Sequence, residues 1–189
     1  MYTQSLPIIL ASKSPRRQEL LKLMDLDFEV VLKEVDESYP EGLSPAEIAV
    51  YIAEKKAAAF RDDFEGSIVI TADTIVAYEQ EILGKPENAE HALAMLTKLS
   101  GSRHEVYTGV SLCYADQLLS FYDVTEVYFK ELSQSQIQYY IDNYNPYDKA
   151  GAYGVQDWIG MVAVEKIAGS YTNVMGLPTE KLYAALSAI

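Results

Sequence analysis

Positive charge is what this sequence has least of. Lys and Arg number 15 against 28 Asp and Glu, for a formal net charge of −13 over 189 residues. Nucleic-acid backbones are gripped through many Lys and Arg contacts, so a chain this acidic is expected to repel them. A small phosphorylated ligand is not excluded, because a local group of cations and a metal ion suffice for it. Cys113 is the only cysteine, which rules out an internal disulfide and a cysteine-based zinc cluster and suits a reducing cytoplasm. No apolar run approaches the roughly 20 residues of a membrane span, and no basic-then-apolar leader opens the sequence, so neither membrane insertion nor export is expected. Internal repeats, low-complexity tracts and linkers are also missing. Apolar residues make up 49% and charged residues 23%, a globular balance in a chain long enough for one large domain or two small lobes.

The richest stretch lies near the start. Ile8-Ile9-Leu10 reads as a strand that stops at Ala11; Ser14 is a good N-cap, and Pro15 suits the first helical position. Leu20, Leu21 and Met24 give the following helix an apolar side. A strand, a short loop and a helix N-terminus together make an anion site. Arg16 and Arg17 sit in that first turn, where each cation is disfavoured by roughly 0.3–1 kcal/mol beside the dipole. The sequence has only four arginines, so two in this turn point to an anion that offsets the penalty. Two solvated arginines on an ordinary helix start are the alternative.

Further along, Phe28–Leu32 reads as a strand leading to the acidic loop around Asp36 and Glu37. Ser44, Pro45 and Glu47 make a capping box with proline at the first position of the next helix. Lys55 and Lys56 fall beside its apolar stripe, either snorkelling to solvent or reaching a buried anion. Ser67–Ala77 is almost wholly apolar or β-branched and predicts a strand covered on both faces. Asp73 sits in its middle. Strands disfavour aspartate and a buried unpaired carboxylate is very costly, so Asp73 pairs with a cation, binds a metal or belongs to a site. Glu79-Gln80-Glu81 predicts a hairpin turn returning through Ile82-Leu83. Gly84-Lys85 is not a phosphate-binding P-loop, since Glu79 replaces the earlier glycine and Pro86 the hydroxyl residue. His104-Glu105 opens no zinc helix, because Thr108 stands where the second histidine belongs; His91 and His104 read as surface or hydrogen-bonded histidines.

The spacing then predicts a helix over Glu87–Lys98 with Ala89, Leu93 and Leu96 on one side. Two strands follow, Glu105–Tyr114 and Leu118–Lys130, joined through Ala115-Asp116-Gln117. A capping box of Ser133 and Gln136 opens a helix that ends by Asn145-Pro146. The small residues and two glycines of Asp148–Gln156 let the backbone come close to something. Trp158–Ile167 reads as another strand, and Gly176-Leu177-Pro178 leads into a last helix.

These pieces resemble the Maf family of nucleoside triphosphate pyrophosphatases, named in connection with septum formation. The motifs are Leu10-Ala11-Ser12-Lys13-Ser14-Pro15-Arg16-Arg17, Lys56-Ala57, Ala72-Asp73-Thr74-Ile75-Val76, Gly84-Lys85-Pro86, Asp148–Gln156 and Val174-Met175-Gly176-Leu177-Pro178, spread over nearly the whole chain. The run Lys149-Ala150-Gly151-Ala152-Tyr153-Gly154-Val155-Gln156 looks like the branch acting on dTTP and UTP. Asp157 departs from that branch, which usually has glycine there, and alters the expected shape of the base pocket. The resemblance implies a single domain over residues 1–189 of α/β class: an elongated mixed β-sheet with flanking helices, two lobes around a cleft, Maf/ITPase-like. It implies hydrolysis between the α and β phosphates, a divalent cation (Mg²⁺ or Mn²⁺) and commonly a homodimer. By position, Asp73 is the catalytic proton acceptor. Arg16, Thr74 and Gln156 correspond to substrate selection, and Ser12, Arg17, Glu37, Lys56 and Lys85 match other site positions. Glu37 and Asp73 are oxygen ligands of the kind hard cations take. Two other readings stand beside this one: a nucleotide-sensing regulator of cell division without turnover, and a related pyrophosphatase acting on non-pyrimidine nucleotides.

Overall fold

The computed structural model describes residues 4–60, 63–115 and 117–189, so Asp116 of the predicted hairpin turn lies outside the described residues. Among the described residues seven strands form one mixed sheet in the order β2-β1-β3-β5-β6-β7, with β4 paired to β3. The strands are β1 (Ile8–Leu10), β2 (Phe28–Val30), β3 (Ile68–Tyr78), β4 (Glu81–Leu83), β5 (Arg103–Tyr114), β6 (Gln117–Phe129) and β7 (Val164–Ala168). The helices are α1 (Pro15–Leu23), α2 (Pro45–Ala58), α3 (Ala89–Leu99), α4 (Gln134–Tyr144), α5 (Trp158–Ala163), α6 (Tyr171–Met175) and α7 (Thr179–Leu186). This is the mixed α/β class the sequence implies.

The chain divides into two compact units. One comprises residues 1–74, 108–123 and 176–189; the other comprises 75–107 and 124–175. In the first unit β1 lies parallel between β2 and β3, with Ile8 opposite both Phe28 and Ile68. All three residues of β1 are buried, as the uninterrupted apolar run requires. Helix α2 lies very close to β5: a Cβ on Gly109 would stand 2.3 Å from the Ala49 carbonyl carbon. Only glycine permits that approach.

In the second unit β4 returns antiparallel on the end of β3, pairing Val76 with Leu83, and the turn between them puts Glu79 at φ 54°. Helix α4 carries the expected capping box and ends on Asn145 in the left-handed region. The buried face of α3 is Ala92, Met95, Leu96 and Leu99, while Ala89 at its first turn is exposed. The strand expected over Trp158–Ile167 is corrected. Its first six residues are α5, started by bonds from the Gly160 and Met161 amides to the Asp157 carbonyl, and only Val164–Ala168 is strand. Gly160 decides this locally, because a Cβ there would fall 1.8 Å from the Val155 carbonyl oxygen and no extended chain folds back so tightly. Helix α6 had no counterpart in the sequence pattern, being five residues long.

Of the two readings of His104, surface or hydrogen-bonded, the structure takes the second. His104 is buried on β5 with Nε2 2.7 Å from the Tyr153 hydroxyl, and its ring meets Phe129 and Tyr153 edge-on. Burial pushes its pKa down to about 3 and pushes that of Tyr153 up. The native state thus keeps His104 neutral while the unfolded chain binds a proton below about pH 6.5. Stability therefore falls as pH drops from 6.5 towards 3, by at most about 1.4 kcal/mol per pH unit from this group. Between pH 7 and pH 5 the loss is about 2 kcal/mol. Urea unfolding at the two pH values measures it: His104→Asn should show a drop smaller by that amount, whatever its overall stability. An unchanged drop would mean that other groups carry the acid sensitivity.

Candidate active site

The site is built around Asp73 in the middle of β3, where Ile68, Val69, Ile70 and Ala72 of the same strand are all buried. Thr71 and Asp73 share one face of β3 by the two-residue alternation. On that face lies α2. The Thr71 hydroxyl donates to the Ala53 carbonyl at 2.7 Å, and one helical turn further on Lys56 Nζ donates to Asp73 Oδ1 at 2.8 Å. The four-carbon lysine stem spans what the shorter rise of the helix leaves over. Lys56 thus meets a carboxylate; it does not snorkel to solvent. Its ammonium also lies 2.8 Å from Glu37 Oε1, so one cation bridges two carboxylates. Asp73 is only 8% exposed, whereas the Glu37 side chain is half open.

Glu37 is held by its neighbours. Lys55 Nζ reaches Asp36 Oδ2 at 2.8 Å and the Ser38 carbonyl at 3.1 Å, and hydrogen bonds from Lys55 and Ser38 lower the Asp36 pKa to about 2. Two adjacent lysines at the end of α2 therefore pin residues 36–38 from both sides. Lys55, which the sequence sets beside the apolar stripe of α2 together with Lys56 but which no family motif marks, is thus a site-building residue.

The strand residues either side of Asp73 belong to Arg17. Its Nε donates to the Gly176 carbonyl at 2.7 Å, and Nη1 donates to the Ala72 carbonyl at 2.9 Å and to Ser12 Oγ at 3.2 Å. Nη2 donates to Thr74 Oγ1 at 3.0 Å, and Thr74 meets Thr108 Oγ1 at 3.0 Å. Ser14 caps α1 as expected, accepting from the Arg17 amide. Arg17 is 9% exposed, and burial lowers its pKa against the raising effect of Asp73. All four acceptors are uncharged oxygens. Arg17 therefore serves as an internal brace linking α1, β3 and the Gly176 turn, while Arg16, the next residue back, is partly exposed. Gly176 sits at φ +112°, with a built Cβ 3.3 Å from Thr74 Oγ1. Glycine is required there for both reasons, and its carbonyl is a part of the site that the motif alone did not reveal.

Ser12, Arg16, Arg17, Glu37, Lys56, Asp73 and Thr74 thus fall in one unit. Lys85 and Gln156 belong to the other. Lys85 is exposed there, and Gln156 Oε1 is buried with no hydrogen-bond partner among the described residues. The small residues before Gln156 make room for the protein itself: a Cβ on Gly151 would stand 3.0 Å from the Val76 side chain, and one on Gly154 2.5 Å from the Asp157 carboxylate. Tyr140 is buried against this segment, and its hydroxyl pKa is raised by burial and by the bond to Asp157.

Among the described residues no three His, Cys, Asp or Glu side chains group closely enough to hold a metal by themselves. A pair of carboxylates, Glu37 and Asp73, does come together, each 2.8 Å from the Lys56 ammonium. That set fits Mg²⁺ or Mn²⁺, which takes one or two carboxylates and completes its shell with water and substrate phosphates.

The model of the family described as Maf-like protein matches residues 7–189. This chain belongs to that family. Among Maf-like relatives, a dTTP/UTP pyrophosphatase of Cytophaga hutchinsonii is 52% identical over 93% of this chain and 80% of its own length. One from Flavobacterium johnsoniae is 52% identical over 96% of this chain and 94% of its own. A third, from Bacteroides thetaiotaomicron, is 51% identical over 95% of this chain and 94% of its own. Of solved structures, the Staphylococcus aureus Ham1 protein is similar at 18% identity and a TM-score of 0.41, covering 65% of this Maf-like chain and 71% of its own, a likeness too slight to bear on function.

Proposed function

We propose that this Maf-like chain, acting as one domain over residues 1–189, hydrolyses dTTP and UTP between the α and β phosphates, releasing the nucleoside monophosphate and pyrophosphate. The observation that carries the reading is Asp73, a carboxylate buried in an apolar strand and bonded to Lys56 at 2.8 Å. A protein that only binds polyanions gains nothing from a carboxylate at its centre, so a non-catalytic sensor of cell division is the less favoured reading. The names of relatives at about half identity point the same way.

In this reading Lys56 donates to one oxygen of Asp73 and orients the carboxylate, so that the other oxygen takes a proton from the attacking water. Arg16, Lys56 and Lys85 supply positive charge to the phosphates and to the leaving pyrophosphate. Arg17 holds Ser12 and Thr74 at the positions from which their hydroxyls meet the substrate. Glu37 and Asp73 would hold Mg²⁺ or Mn²⁺, which when bound neutralises phosphate charge. Gln156 reads the base: its amide offers an acceptor to the N3–H and a donor to the adjacent carbonyl of uracil or thymine, whereas cytosine lacks that hydrogen.

The same reading makes the protein a cytoplasmic homodimer that works on the free nucleotide pool. Its charge keeps it off nucleic acid, and no helix among the described residues is long and apolar enough to cross a membrane. The test is pyrophosphate release from a panel of nucleoside triphosphates with Mg²⁺ or Mn²⁺. Turnover of UTP and dTTP above CTP, ATP and GTP is expected. Release from purines alone would replace this reading with a different pyrophosphatase, and no release at all would favour the sensor. Gln156→Ala should lower the preference for UTP over CTP about tenfold or more, the scale of an unpaired hydrogen-bonding group on the substrate.

A further inference from the structure

The turn that carries Gln156 is tied down on both sides. The Asp157 amide donates to the Gly154 carbonyl at 3.0 Å, closing a four-residue turn with Gln156 in third place. Tyr140, buried on α4, bridges the same two residues through one oxygen: its hydroxyl donates to Asp157 Oδ2 at 2.8 Å and accepts from the Gly154 amide at 3.0 Å. Lys149 Nζ, 3.8 Å from that carboxylate oxygen, supplies the opposite charge. The absent side chain of Gly154 leaves the space that the Asp157 carboxylate fills. Held this way, Gln156 keeps its Oε1 out of water with no partner among the described residues. A buried acceptor left unpaired is costly, and a donor arriving with a ligand relieves it.

The geometry points to Asp157 as a positioning residue for substrate selection: through the Tyr140 hydroxyl it fixes the Gly154–Asp157 turn and so presents Gln156 Oε1 to the N3–H of uracil or thymine. This rests on the base-reading role given to Gln156 above. Asp157 itself touches no substrate; it acts through Tyr140 and the turn. The buried acceptor then explains selection by charge-free means, since a base without a hydrogen at N3 leaves it unpaired.

The experiment compares kcat and KM for UTP and CTP in the full chain carrying Tyr140→Phe, Asp157→Ala or Asp157→Asn, with Gln156→Ala beside them. Tyr140→Phe removes a single oxygen, and with it both bonds of the bridge, while keeping the buried ring. Loss of one buried hydrogen bond corresponds to about a tenfold change. Tyr140→Phe and Asp157→Ala should therefore raise KM for UTP about tenfold and lower the UTP-to-CTP preference by a similar factor, with kcat within about twofold. The double variant should be no worse than the poorer single one, because both remove the same bridge. Asp157→Asn keeps an oxygen for the Tyr140 hydroxyl and should recover most of the preference. Thermal midpoints that fall while KM and preference stay put would overturn the inference, as would an Asn variant no better than Ala. If Gln156→Ala shifts the preference and the Tyr140 and Asp157 variants do not, this inference alone fails. If Gln156→Ala shifts nothing, the base-reading role fails and takes this inference with it.

Discussion

Asp73→Asn should cut pyrophosphate release by a factor of at least about 10³, at the upper part of what positioned proton acceptors contribute. The substitution keeps shape and keeps an oxygen that Lys56 can bond at the observed 2.8 Å. What it removes is the charge and the capacity to take a proton. Because Asp73 is held among buried apolar residues, no solvent carboxylate can take over its role. Substrate affinity should stay within a few fold or tighten, since a negative group near the phosphates has gone. Nucleotide binding to the variant by calorimetry, together with single-turnover kinetics, separates the two effects. Equal losses in binding and turnover would make Asp73 a purely structural partner of Lys56 and would falsify its role as proton acceptor. Glu37→Gln, which leaves the second carboxylate position uncharged, should mainly raise the metal concentration needed for half-maximal rate.

The second large effect is on stability. Arg17→Met should lower the thermal midpoint by about 6–12 °C, corresponding to about 3 kcal/mol for a chain of this size. The arginine donates to Ser12 Oγ, the Ala72 and Gly176 carbonyls and Thr74 Oγ1, and methionine leaves these buried oxygens without that donor. Arg17→Lys should recover little. An ammonium on a flexible stem cannot reproduce a planar fork aimed at acceptors on the β1–α1 loop, β3 and the Gly176 turn. The contrast with Arg16 is the sharper test. Arg16→Ala should leave the midpoint nearly unchanged and act on KM for the triphosphate. A stable Arg17→Met protein with raised KM alone would mean that Arg17 grips phosphate directly and the bracing role is secondary. Differential scanning fluorimetry and steady-state kinetics on the same preparations decide it.

These expectations show how unevenly the site could be read from residues alone. The oddity of Asp73 was plain, because a carboxylate in a β-branched run violates a rule that burial enforces. Its partner Lys56 shows as a lysine beside the apolar stripe of a helix and as part of the Lys56-Ala57 motif, and neither says that it bonds Asp73. That the helix is α2, and that it lies against the Asp73 face of β3, is seen only in the Thr71–Ala53 and Lys56–Asp73 hydrogen bonds, with Gly109 on the neighbouring β5 admitting Ala49 at close range. Sequence spacing offers no measure of such an approach. The pair Arg16-Arg17 was likewise conspicuous, yet adjacent residues on a helix point about 100° apart, and only packing determines which of them turns inward. The Trp158–Ile167 segment misled for a related reason. Its apolar run is too short for periodicity to separate strand from helix, and the deciding contact, Gly160 against the Val155 carbonyl, is made five residues back along the chain.

The sequence by itself determined the class of fold, the caps and ends of its longer helices, the net charge of −13, and the motifs that make it Maf-like. These are set by neighbours along the chain, through backbone propensity, side-chain capping and net charge. The tertiary structure alone decided that Lys56 bridges Glu37 and Asp73, that Arg17 faces inward on neutral oxygens, and that Tyr140 joins Asp157 to Gly154. Each of these joins residues from separate segments. Their direction depends on how closely elements pack, a quantity governed by volume and burial.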